Sequence, residues 1–205
     1  MNQYFDESPT VASEPKIVSF TFDNIAYEFL TDRGVFSYEK VDKATRVLLD
    51  VLSEKYYGPK PELIVDVGCG YGPIACVVAD RFPEAKIIGV ETNERARVLA
   101  EKNCRKNIGG ERIRILSPAE VDDTIMVDMI VSNPPIRVGK EAMYELLRGW
   151  STRLNPGGQM WLVIAKNLGS DSAAAYIEHE LKMKVTRVSS KKGFRVLKCE
   201  QPSGV

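Results

Sequence analysis

Apolar and polar positions recur along this chain with two different periods, and each change of period marks an element. Residues 17–22 alternate with a period of two, as a half-buried strand does, and residues 25–31 extend or pair with that strand. Asp32-Arg33-Gly34-Val35-Phe36-Ser37 reads as a turn. Ala44, Val47, Leu48, Val51 and Leu52 then share one helical stripe, which predicts a helix over about 42–55. From residue 62 onward short apolar runs and helical stripes take turns. Strands are expected at 63–67, 86–91, 113–116, 126–132 and 159–165, and helices at 73–81, 94–107, 140–153 and 173–180. Two further strands, 185–189 and 195–200, flank Lys191-Lys192-Gly193. Such alternation predicts a doubly wound α/β fold, a mostly parallel seven-stranded sheet with helices on both faces and a short N-terminal extension. Residues 1–15 are polar and hold Pro9 and Pro15, so they are expected to form a flexible arm. Residues 16–205 are expected to form one domain, since neither linker nor repeat interrupts the alternation.

Composition narrows the function more than the fold. Of 205 residues, 44% are apolar and 27% charged, which suits an ordinary globular protein. Lys and Arg together number 28, as do Asp and Glu, so the surface as a whole is not an indiscriminate binder of polyanions. By segment the balance differs: after Leu181 stand Lys182, Lys184, Arg187, Lys191, Lys192, Arg195 and Lys198, against the single acid Glu200. That run suits an RNA-facing surface or, equally, cationic strand edges that discourage edge pairing. Cys69, Cys76, Cys104 and Cys199 have no Cys-x-x-Cys spacing, and the one histidine, His179, cannot complete a zinc set with them. No metal is expected, and the cysteines read as free buried thiols in a reducing cytoplasm. His179, between Glu178 and Glu180, reads as solvated. No apolar run approaches the ~20 residues of a membrane span, and the first fifteen residues lack the apolar core of a signal peptide. A cytoplasmic protein without membrane contact is the expectation.

Two segments carry chemistry. The first, Asp66-Val67-Gly68-Cys69-Gly70-Tyr71-Gly72, follows an apolar run and precedes a helix opening on Pro73. Gly68, Gly70 and Gly72 let the backbone turn sharply and approach a ligand that a Cβ would block. Glu91, with Thr92 beside it, ends the next strand, where a carboxylate can accept both ribose hydroxyls. This half suits any adenosine ligand, a dinucleotide as well as S-adenosylmethionine. Asp66 either caps the N–H groups of the turn or accepts from an ammonium group. Cys69 reads as a small side chain rather than a nucleophile. Ser117 and Ala119, after the third strand of the alternating part, either lie along an adenine or are plain loop residues.

The second segment is Asn133-Pro134-Pro135-Ile136, at the end of the apolar run 126–132. Its two prolines donate no N–H and stop strand pairing, so the Pro134 carbonyl is left without a sheet partner. The Asn133 amide oxygen is a second acceptor. Two acceptors are what a planar NH2 group needs to turn its lone pair toward an electrophile. With the glycine turn, they describe a site where S-adenosylmethionine meets an amine. Arg137 and Lys140 follow directly and either contact phosphate or are solvated.

At these residues the chain resembles a family. The segment 66–72 looks like the first motif of class I S-adenosylmethionine-dependent methyltransferases, a Rossmann-like class, and 133–136 is similar to the fourth motif of those that methylate nitrogen. Gly34-Val35-Phe36-Ser37, Val41-Asp42 and Lys192-Gly193-Phe194-Arg195-Val196 resemble segments of the small-domain guanine-N2 methyltransferases, type C, that act on small-subunit ribosomal RNA. The resemblance covers about 17–200. It implies S-adenosylmethionine held by Asp66, Gly68, Cys69, Gly70, Gly72, Glu91, Thr92, Ser117, Ala119 and Asn133. Catalysis falls to Asn133, Pro134, Pro135 and Ile136, and substrate binding to Phe36, Arg137, Lys140, Phe194 and Arg195. The implied partner is ribosomal RNA or the small ribosomal subunit, met by a monomer or homodimer.

Two departures stand out. Nitrogen methyltransferases usually place an aromatic ring where this chain has Ile136, so Phe36, Tyr71 or Phe194 would have to stack on the base, or the substrate is held otherwise. The bacterial guanine-N2 enzymes also carry a second, degenerate domain before the catalytic one. Glutamine N-methylation and a silent cofactor-binding RNA module are the competing expectations.

Overall fold

The computed structural model describes residues 10–109, 111–135 and 139–202. The chain opens with a hairpin of β1 (Lys16–Phe22) and β2 (Ile25–Thr31), closed by Asp23 and Asn24, both at positive φ. This is the two-residue turn whose twist matches paired strands. α1 (Lys43–Lys55) follows. The alternating part comprises β3 (Leu63–Val67), α2 (Pro73–Arg81), β4 (Lys86–Val90), α3 (Glu94–Asn107), β5 (Ile113–Leu116), β6 (Val127–Ser132), α4 (Lys140–Ser151), β7 (Leu154–Ala165), α5 (Ser170–His179), β8 (Lys184–Lys191) and β9 (Phe194–Glu200).

The seven strands β3–β9 form one sheet in the order β5-β4-β3-β6-β7-β9-β8. β9 runs antiparallel to both of its neighbours and the remaining strands are parallel to one another. The strands are apolar on both faces because both are covered. Ile64, Met129, Val131, Trp161 and Val163 face one cluster with the hairpin, α1, α2 and α3, while Val65, Ile130, Leu162 and Ile164 face the other with α4 and α5. Strand order reverses between β3 and β6, and there the crevice of such a sheet opens at the carboxyl ends. The Ser132 hydroxyl donates to the Val67 carbonyl at 2.7 Å and holds those two ends together.

Three differences from the sequence expectations have physical causes. β7 begins at Leu154, not at 159. Val127 pairs with Leu154 and Met129 with Gln159, so Asn155-Pro156-Gly157-Gly158 bulges out within the strand rather than preceding it. α5 begins at Ser170, three residues earlier than its apolar stripe suggests. The third concerns the arm. Residues 1–9 lie outside the described residues, but the part nearest the hairpin is fastened rather than loose. Ser13 Oγ and the Glu14 amide donate to Asp32, and Arg95 donates to the Val11 carbonyl. All four cysteines are buried and free. Among the described residues no helix is long and apolar enough to cross a membrane.

Candidate active site

The crevice is a cleft of about 660 Å³. Its floor is the glycine turn. The amides of Gly68 and Cys69 donate to the Val90 carbonyl at 2.8 and 3.1 Å, which binds the turn after β3 to the end of β4. Gly68 (φ +74°) and Gly70 (φ +56°) both line the cleft, and no atom lies within 4 Å of where a Cβ would stand. Here glycine is needed for its backbone and for the open space above it. Gly72 has another duty. It caps α2 at φ +94°, and a Cβ there would come within 3.3 Å of Cys104 Sγ and 3.5 Å of Ala100, so it lets α2 and α3 approach and does not line the cleft.

Glu91 stands at the cleft with its carboxylate held by backbone. One oxygen accepts from Gly70 N and the other from Asn93 N, both at 2.9 Å. Burial raises its pKa against the lowering effect of those bonds. Thr92 lines the cleft beside it. Asp66 lies beneath the turn, fully buried. One oxygen accepts from the Ala75 amide of α2 at 3.0 Å and the other has no partner among the described residues. Burial pushes its pKa up to about 8, the Ala75 bond opposes the rise and the nearby Glu91 charge adds to it. Cys69 is buried against Gly89, reaches only a small side cavity, and has its thiol pKa raised well above the ordinary value by burial, as befits a packing residue.

The other wall comes from the end of β6. Asn133, Pro134 and Pro135 line the same cleft as Glu91. The Asn133 amide nitrogen donates to Asp42 Oδ2 at 3.1 Å and to Thr45 Oγ1 at 3.2 Å, while its oxygen has no partner among the described residues. Phe36, 38% exposed, completes this side. Ile136 and Arg137 lie outside the described residues.

Several expected site residues stand elsewhere. Ser117 and Ala119 do not line the cleft. Ser117 caps a short 3-10 turn, its hydroxyl donating to Glu120 at 2.7 Å, and that turn presents Pro118 instead. Of the three candidate rings only Phe36 lines the main cleft. Tyr71 is 1% exposed and packed on Phe29, and Phe194 packs against the core opposite Ala165, with β7 between its strand and β6. Arg195 forms an ion pair with Asp171 rather than facing the cleft. Lys140, the first residue of α4, is exposed beside Gly169 and outside the cleft lining. The sequence reading missed the far wall, Val121 and the α4 stripe Ala142, Glu145, Leu146, Gly149 and Trp150. The helical spacing of that stripe is legible, though which face meets a ligand is not.

This sheet order and a strand-end cleft between β3 and β6 define the class, the S-adenosylmethionine-dependent methyltransferases. Residues 26–198 match the family model described as the methyltransferase small domain, and the chain belongs to that family. It is 35% identical over 204 residues to the uncharacterized Bacillus subtilis protein YbxB, covering 97% of this chain and 98% of that one. It is 29% identical to the ribosomal RNA small subunit methyltransferase C of Klebsiella pneumoniae, over 77% of this chain but 45% of the relative, so it spans under half of that enzyme. Among solved structures it resembles the T. thermophilus 16S rRNA N2 methyltransferase RsmC in complex with AdoMet and guanosine, with a TM-score of 0.75 at 24% identity. That match covers 94% of this chain and 52% of the other.

Proposed function

We propose that this chain is an S-adenosylmethionine-dependent N-methyltransferase that modifies an exocyclic amine of a base in structured RNA, specifically guanine N2 of small-subunit ribosomal RNA. The observation that carries the reading is the meeting, in one cleft, of the glycine turn and Glu91 with Asn133 and Pro134. The residues present suit the cofactor. Gly68 and Gly70 leave open space against bare backbone and Glu91 offers carboxylate oxygens beside Thr92, whereas Asp66, fully buried and outside the cleft lining, supports the turn from beneath through the Ala75 amide.

When bound, S-adenosylmethionine supplies a methyl group activated on a sulfonium centre, so the protein needs no nucleophile of its own. The work left to the chain is to hold an amine in line and to accept hydrogen bonds from its N–H groups, the proton released on methylation passing to solvent. The Asn133 amide oxygen and the Pro134 carbonyl are acceptors for the two N–H bonds. Such fixed acceptors stabilise positive charge as it develops on nitrogen and cost no reorganisation at that moment. Holding the amine at close range contributes the rest. Phe36 offers the face on which a flipped base can stack, a contact worth ~1–3 kcal/mol.

The RNA part of the proposal draws on the names of the relatives and on the cations beside the cleft. Within the basic C-terminal run, Arg187 and Arg195 are both taken up by Asp171, and Lys198 by Glu200. Lys140, Lys166, Lys191 and Lys192 have no ion-pair partner among the described residues. The Lys166 amide donates to Gly193 at 2.9 Å, which brings the short turn holding cleft residue Leu168 against the β8–β9 hairpin tip. These lysines are the ones offered to phosphate. The deciding experiment incubates the protein with tritiated S-adenosylmethionine and small-subunit ribosomal RNA, then analyses nucleosides by mass spectrometry. N2-methylguanosine is expected. Label that enters protein glutamine and never RNA would replace this reading with its competitor.

A further inference from the structure

Asn133 can serve as an acceptor only if its amide presents oxygen, not nitrogen, to the amine. The two ends of an amide are nearly the same in size, so packing alone does not choose between them. Chemistry chooses here. Asp42 Oδ2 lies 3.1 Å from the amide nitrogen, and an ionised carboxylate can only accept. Thr45 Oγ1, at 3.2 Å, gives a second acceptor on the same side. A flipped Asn133 would set its oxygen against the carboxylate and lose that bond, while the Thr45 hydroxyl can serve either end of the amide.

Asp42 is itself immobilised. It is the N-cap of α1, and its Oδ2 also accepts from the amides of Ala44 at 2.7 Å and Thr45 at 3.2 Å. The helix start therefore holds the carboxylate, the carboxylate holds the NH2 group, and the amide oxygen is left for the cleft. Asp42 and Thr45 are 91 and 88 positions from Asn133 in sequence. They belong to the helix that precedes the alternating βα units, and Asp42 borders the cleft itself.

We infer that Asp42 and Thr45 are positioning residues that lock Asn133 in the orientation needed for catalysis, so that the helix before the sheet is part of the catalytic apparatus. The inference rests on the acceptor role of Asn133 proposed above. A misplaced acceptor reduces the chemical step while leaving cofactor contacts alone.

The informative variant is Asp42→Ser. Serine still caps the helix but is one atom too short to reach Asn133 as well. Single-turnover methylation of small-subunit ribosomal RNA should slow about ten- to hundredfold, with affinity for S-adenosylhomocysteine within about twofold of wild type. Thr45→Val, which keeps the shape and removes one acceptor, should slow the step less. In 15N NMR the Asn133 side-chain NH2 signals should shift in both variants. A wild-type rate in Asp42→Ser would overturn the inference, as would cofactor affinity falling in parallel with the rate, which marks general damage. If Asn133→Ala is itself fully active, the acceptor reading fails. If Asn133→Ala is inactive and Asp42→Ser is normal, only the positioning role fails.

Discussion

The two walls of the cleft are built from different materials. The floor beneath β3 and β4 is backbone: Gly68, Cys69 and Gly70 are tied to Val90 and Glu91 through their amides, and the geometry follows from neighbouring strand ends. The wall at the end of β6 is a side-chain assembly. Asn133 depends on Asp42 and Thr45, which are remote in sequence. The lesson is that a backbone wall rests on its glycines and on the two carboxylates that hold its amides, Glu91 and Asp66. A side-chain wall can be silenced by single atoms without disturbing the other wall.

The strongest test of that separation is Asn133→Ala. Methyl transfer should fall about a hundredfold or more, since a fixed acceptor at the reacting atom is lost. Calorimetric affinity for S-adenosylhomocysteine should stay within about twofold, because the lost contact matters in the transition state. Equal losses in both would mean that the walls are one structure.

Beneath the backbone wall lies a buried carboxylate with one oxygen unpartnered among the described residues, Asp66. Its pKa is raised from 3.8 to about 8 in the folded protein. Between those values the unfolded chain has released this proton and the folded chain retains it. The contribution of Asp66 to stability therefore falls as pH rises through that window and levels off above it. Urea unfolding of the ligand-free protein across the window should show this slope, and Asp66→Asn should remove it. Parallel curves for the two proteins would show that the buried carboxylate is not the source.

Glu91→Ala should weaken S-adenosylhomocysteine binding by ~1.5–3 kcal/mol, the scale of hydrogen bonds to a charged group. It also removes the anchor of Gly70 N, so the effect should spread over the floor but not reach Asn133. An unchanged affinity in calorimetry would remove Glu91 from the cofactor contacts.

The smallest effect concerns the rim. Replacing Lys166, Lys191 and Lys192 with Ala should flatten the dependence of log RNA affinity on log salt by about 2–3 in slope, at ~0.7–0.9 for each phosphate contact. Arg187→Ala and Arg195→Ala should change it less, because both guanidinium groups share Asp171. A reversal of that ranking in filter binding would relocate the RNA face.

What was legible in the sequence divides along the same line as the walls. That the glycine turn, Glu91 and Asn133 share one cleft was legible because each stands at a strand end that the apolar pattern locates, and strand ends of a doubly wound sheet gather at one edge. Ser117 and Ala119 missed by a single position, since a side-chain cap on Glu120 decides which residue of that turn faces inward. Phe194 and Arg195 share the family-like ending but sit on β9, with β7 standing between them and β6. Asp42 stands in a family-like segment and reads as an ordinary helix cap, but its partnership with Asn133 exists only once α1 docks on the sheet. The fold is written in periods of two and 3.6, whereas the Asn133 wall depends on which faces later meet.

The placement of β9 between β7 and β8 has a consequence for how the protein is made. β8 precedes β9 in the chain yet has no sheet partner except β9, and β7 gains its outer neighbour only from β9. Until β9 inserts, β7 is a long apolar edge and β8 an unpaired strand, both open to pairing with other chains. Closure of this edge therefore waits on β9, the last strand in the chain to join the sheet, which gives β7 its outer neighbour and β8 its one partner strand.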